Sequence, residues 1–176
     1  MRFLEKSDGI DSNAFIKLGD KGQIVGVFRG EFETFRRHWD RSQGPKGRGV
    51  NCPGKENGCA ICARNPDEKP SWRFRVNFLT EENGQWVAKV FEGGWKLYSQ
   101  LRTLHEDYDL EKQKVKITRQ GSEMNNTVYN VNPVPKGEVD AQLEAKLQSV
   151  PLVELAPKTP GNEAEEPAEA ESDIRV

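Results

Sequence analysis

The chain has 176 residues, enough for one domain with a packed core and too few for two large ones. Apolar residues make up 35% and charged residues 31%, a wet composition that leaves part of the chain outside any core. No apolar run approaches the roughly 20 residues of a membrane helix, and the opening MRFLEKSDGI carries no apolar leader segment. The three cysteines, an odd number, do not make a closed disulfide framework. The expectation is a cytoplasmic protein with no membrane partner, its cysteines reduced or bound to metal.

The net charge of −2 is unevenly spread. Pro157 to Val176 holds six acids and two bases, whereas Arg29 to Arg75 holds eleven bases and six acids. A positive middle and a negative end result.

In chain order, NAFIKLGDKGQIVGVFRGEFETFRRHW alternates around β-branched and aromatic residues. It predicts two strands about a turn at 19–22, or one long strand bent at Gly26 or Gly30. Residues 40–70 hold five glycines and four prolines with almost no aliphatic pattern. A loop that long inside a compact domain needs something to organise it. SWRFRVNFLT then places Trp72, Phe74, Val76 and Phe78 on one face of a strand and Arg73, Arg75 and Asn77 on the other. EENG is a hairpin turn and QWVAKVF its returning partner. Leu97, Leu101, Leu104 and Tyr108 recur at helical spacing after Gly93-Gly94. KVKITRQ and NTVYNVNPV predict a second strand pair, and Val139, Leu143 and Leu147 a short amphipathic helix over 137–150. The Ala/Glu/Pro-rich segment 151–176 predicts a disordered acidic tail.

Long strand, hairpin, helix, strand pair is the element order of an oligonucleotide-binding (OB) fold, a five-stranded barrel with its helix between strands three and four. The expectation is a mainly β protein: an OB domain over 1–136 with a metal loop over about 38–70, then the helix and the tail. The long loop falls between the first two strands, a binding-loop position of that fold.

Within that loop all three cysteines and one of the two histidines gather: His38, Cys52, Cys59 and Cys62, with gaps of thirteen, six and two residues. Cys-Ala-Ile-Cys is a two-residue chelate whose sulfurs reach one tetrahedral ion. One imidazole and three thiolates complete a closed structural zinc site. The bland alternative, small buried cysteines and a strand-end histidine, requires the loop to fold without a core. A catalytic metal is disfavoured, because Cys52 fills the coordination position that a zinc deaminase keeps open for water. No activating partner marks a nucleophilic cysteine either, so the expectation is a protein that is not an enzyme.

Such a clasp pins Arg36, Arg37, Trp39, Arg41, Lys46 and Arg48 in place ahead of binding. Trp72, Arg73, Phe74, Arg75 and Trp86 add bases and rings from the hairpin. Bases interleaved with aromatics suit a single strand, since charge meets the backbone and flat rings meet unpaired bases. Among these, alternating apolar residues such as Phe74 normally face inward, which makes Arg73 and Arg75 the stronger candidates.

On these residues the chain resembles the helix-destabilising, single-stranded-DNA-binding proteins of large tailed bacteriophages. Their zinc ligands run His, Cys, Cys, Cys, as do His38, Cys52, Cys59 and Cys62, with the same final two-residue spacing. The likeness spans roughly residues 10–135 in layout and the acidic tail in kind. It implies coating of single-stranded DNA in replication, recombination and repair, with the tail contacting replication or recombination proteins. The basic N-terminal arm of that family is reduced here to Arg2 and Lys6. Two other readings stand beside it: a zinc-containing adaptor that docks on replication or transcription machinery through residues 138–150 and the tail, and an RNA-binding protein with the same barrel.

Overall fold

The computed structural model describes residues 10–42, 44–45, 47–122 and 126–155. The N-terminal arm, Lys46 and the acidic segment from 156 onward lie outside the described residues. The strands are β1 (Gln23–Asp40), β2 (Arg48–Asn51), β3 (Ser71–Glu82), β4 (Gln85–Gly94), β5 (Gln113–Gln120) and β6 (Val128–Glu138). The helices are α1 (Ala60–Arg64), α2 (Trp95–Asp107) and α3 (Ala141–Gln148), and one 3-10 turn covers Ser12–Ala14. The strands form one mainly antiparallel sheet in the order β4-β3-β1-β5-β6, with β2 paired separately to β1. The described residues divide into two compact units, one built from 10–33 and 73–155, the other from Thr34–Trp72.

In the first unit, β1 begins after the turn at Gly19–Gly22 and runs unbroken, so the expected second strand before the turn reduces to a single bridge at Phe15. Gly26 sets how closely β1 lies on β3, since a Cβ there would stand 2.1 Å from the Leu79 carbonyl oxygen. The β3–β4 hairpin turns on Asn83 (φ 51°) and Gly84 (φ 77°). Two left-handed residues match the strand twist in a two-residue loop, which is why Asn-Gly sits there. Helix α2 buries Leu97 and Leu101. It stops at Asp107, so Tyr108 leaves the apolar stripe and stands 43% exposed.

One face of the sheet carries a chain of rings. Phe28 meets Phe78 at 4.9 Å, Phe74 meets Tyr98 of α2 at 5.7 Å, and Phe91 of β4 meets Tyr129 of β6 at 5.9 Å. The last pair joins the two end strands of the sheet path, so the sheet curls back on itself. The other face is covered by α3. Its Leu147 packs with Val27 and Leu79, and Leu143, Val139, Val150, Trp86 and Ala88 close around them. Asp140 caps the helix by accepting from the Leu143 N–H at 2.8 Å. Glu144 reaches Arg29 at 2.5 Å. Beyond the helix, Asn77 donates to the Val153 carbonyl at 3.0 Å and accepts its N–H at 2.9 Å. The chain is therefore anchored through Val153, and a free tail cannot start at 151.

Strand β3 is consequently buried on both faces, unlike a strand with one solvent face. Phe74, Val76 and Phe78 face the rings as expected, but Arg75 and Asn77 are only 3% and 4% exposed. The second unit holds the two elements that left no pattern in the sequence, β2 and α1. Strand β2 pairs with the end of β1 from Arg37↔Asn51 to Asp40↔Arg48, and Ile61 of α1 packs with Cys52, Cys59 and Val50.

Candidate functional site

Strand alternation fixes the second unit's chemistry. His38 is buried on one side of β1, 1% exposed, while its neighbours Arg37 and Trp39 point to the other. The Cys52 N–H donates to the Arg36 carbonyl at 2.8 Å, tying the first cysteine to the same strand end. Cys59 is the N-cap of α1 and Cys62 lies in its first turn. The four donor atoms of His38, Cys52, Cys59 and Cys62 all lie within 4.8 Å of one another. Cys62 Sγ is 3.2 Å from His38 Nε2 and 3.6 Å from Cys52 Sγ. Donors bound to one tetrahedral ion through bonds of 2.0–2.3 Å stand roughly 3.5–4 Å apart, whereas a disulfide would hold its sulfurs near 2.05 Å. This cluster can hold a metal ion, and all four residues expected from the sequence are in it.

Ionising all three sulfurs together is opposed by burial and by one another. Burial, with the neighbouring thiols adding, pushes the Cys52 thiol up to about 12, and burial first also raises Cys62. At Cys59 burial pulls the same way, but the Cys62 N–H, the two other thiols and the Ile61 N–H outweigh it and lower the thiol. A bound dication would offset the repulsion among three thiolates, which is what a soft-donor site of this kind selects.

On the opposite side of β1, Trp39 is 40% exposed; Arg36 and Arg48, which alternation and the Asp40↔Arg48 register place on the His38 side, and Arg41 past the strand end are exposed as well. The partner of Trp39 across the ladder is Gly49, so no side chain covers the ring from that position. Arg37 is half-buried, its guanidinium 5.0 Å from the Phe35 ring centre. Asp40 is the local counter-charge: the Ser42 N–H, then the Ser42 side chain, Arg64 and Arg48 hold its carboxyl below the usual range. Residues 34–72 carry eight bases and four acids.

The hairpin candidates fare differently. Phe74 is fully buried among Phe32, Phe91 and Tyr98, so it offers no face to a base. Arg75 is an interior ion pair, its Nε 3.0 Å from Glu92 Oε2 and its guanidinium 5.3 Å from the Phe15 ring. Trp72 is 8% exposed. Trp86 packs under α3 with Lys114 over its ring at 5.9 Å. Arg73 remains accessible, 33% exposed, while pairing with Glu92 at 3.1 Å.

Arg73 also lines a cleft of about 1060 Å³ in the first unit, with Lys96, Arg119, Trp95 and Tyr129. Among the described residues that line it, Glu92 is the one acid against those three bases. Sequence reading missed Lys96, Arg119, Trp95 and Tyr129, because they come from the ends of three separate elements, α2, β5 and β6. The only signal was that each base or ring stands next to a strand or helix end. The cleft adjoins the β5–β6 connection and the β4–α2 junction. No protein-family model, curated protein or solved structure matches this chain.

Proposed function

We propose that the protein binds single-stranded DNA without sequence preference, performs no catalysis, and uses one structural zinc ion to order a basic loop. The observation that carries this reading is the end of β1. The residues that bring His38 into a buried four-donor cluster leave exposed Trp39 on the other side of the same strand with Arg37, while exposed Arg36, Arg41 and Arg48 add charge along the same strand end. Ordering bases and a ring in advance lowers the entropy lost when they meet phosphates and unpaired bases. Zinc suits one imidazole and three thiolates better than a hard cation would.

The barrel reading has support of its own. Setting β2 aside, the strands run third, second, first, fourth, fifth across the sheet, and the end strands meet through Phe91 and Tyr129. An OB barrel has that Greek-key order, and takes oligonucleotides on its second and third strands and at the loops before the second and fifth. The cleft of Arg73, Lys96 and Arg119 lies at such a position. The resemblance to the phage helix-destabilising proteins, through the order of the metal donors, extends the proposal to DNA replication, recombination and repair in a host cytoplasm. The acidic tail would then recruit replication or recombination proteins. The adaptor reading loses one of its two surfaces, because the apolar side of α3 is already occupied by Val27 and Leu79.

Titration with oligo-dT, oligo-rU and duplex DNA, read by tryptophan fluorescence, tests the proposal. Exposed Trp39 makes strong quenching by oligo-dT the expected result. Stronger response to oligo-rU would select the RNA reading, and no response to any of the three would leave the adaptor.

A further inference from the structure

We infer that Glu68, held by Asn65, is the positioning residue that fixes which nitrogen of His38 binds the metal. The inference rests on the metal reading above and adds residues that the donor motif does not contain.

The imidazole has two distinct nitrogens. Nε2 faces the sulfurs, 3.2 Å from Cys62 Sγ. A neutral histidine that binds metal through Nε2 must carry its proton on Nδ1. That Nδ1 is fully buried and makes no hydrogen bond. A buried N–H without an acceptor is costly, and metal-bound histidines almost always give theirs to a carboxylate, carbonyl or water.

Glu68 Oε1 stands 4.0 Å from Nδ1, one small side-chain adjustment from hydrogen-bond distance. Its other oxygen, Oε2, accepts from Asn65 Nδ2 at 3.2 Å, and the Glu68 N–H donates to the Asn65 carbonyl at 3.1 Å. Asn65 in turn caps α1, its N–H donating to the Ile61 carbonyl at 2.8 Å. Cys59 and Cys62 sit on that same short helix. The segment that supplies two thiolates therefore also delivers the carboxylate that orients the imidazole.

The test uses the full-length chain stripped of metal and reloaded with zinc or cobalt(II). Long-range proton–nitrogen NMR of labelled His38 in the zinc form should show Nδ1 protonated and Nε2 bound to metal. Glu68→Ala should weaken zinc in chelator competition by about 10–100-fold and shift the cobalt(II) visible bands. Glu68→Gln keeps an oxygen acceptor at the same place, so it should restore most of the affinity and the wild-type tautomer. The inference is overturned by Nδ1 as the metal-bound nitrogen in the wild type. It is equally overturned by a Glu68→Ala chain with unchanged affinity and spectrum. If the wild type holds metal through all four donors in either case, the metal reading survives; a wild type that holds none ends both.

Discussion

The two units of this chain reach order by different routes. The first buries large apolar side chains on both faces of its sheet: rings such as Phe28, Phe74 and Phe91 on one side, Val27, Leu79 and Leu147 on the other. The second has about forty residues with five glycines; it buries Phe35 and Trp72, and around its donors only a small cluster of Cys52, Cys59 and Ile61 with Val50 and Cys62. Hydrophobic burial scales with apolar area, so the first unit has the larger driving force of its own, and on the proposed reading the second would draw on its four donors as well. What the second unit gains is a surface free of core obligations, where Trp39 and several arginines stay exposed.

Removing the ion should break the comparison most sharply. Structural zinc contributes roughly 10–16 kcal/mol in small zinc-dependent peptides. Cys59→Ser should cut bound zinc from about one equivalent to a small fraction, and hydrogen exchange should show residues 34–72 unprotected while 73–155 stay protected. Full zinc in that variant would contradict the assignment.

In the first unit the corresponding lesion is a cavity. Phe74→Ala should lower global stability by roughly 3–5 kcal/mol in denaturant unfolding. A stacking residue on the surface would instead leave stability unchanged and weaken nucleic-acid binding. Trp39→Ala sharpens the same contrast from the other side: binding to oligo-dT should weaken by about 1–3 kcal/mol with unfolding unaffected.

The smallest effect concerns the cover of the sheet. The Arg29 hydrogen bond, ahead of the opposing effect of burial, holds the Glu144 carboxyl below its ordinary value of 4.5. A depressed carboxylate contributes stability above its unfolded value and loses it as pH falls through the folded one. Wild type should therefore exceed Glu144→Gln slightly in melting temperature at pH 7, and the gap should close near pH 3. A constant gap would mean that the pair does not hold α3 down.

The sequence made some of this plain and hid the rest for physical reasons. The hairpin was legible because Phe74, Val76 and Phe78 alternate up to an Asn-Gly turn. The metal cluster was legible because thiols are rare and their spacing is restricted by geometry. Arg73, Arg75 and Asn77 read as a solvent face because period-two alternation reports two faces and not what covers each. The partner of Arg75 is Glu92, which the register Arg75↔Glu92 brings opposite from seventeen residues away. The cover for Asn77 comes from Val153, farther still. Strand β2 is four residues with two half-buried neighbours and a glycine, too short to show a period.

The central claim is that the metal orders a surface that meets a single strand. Salt-dependent oligo-dT binding, measured for the full-length chain with and without zinc, tests it most directly. The loaded protein should bind more tightly, with a log–log salt slope steeper by roughly 0.7 for each phosphate contact that the ordered arginines supply. Equal affinity and equal slope in the two forms would contradict it.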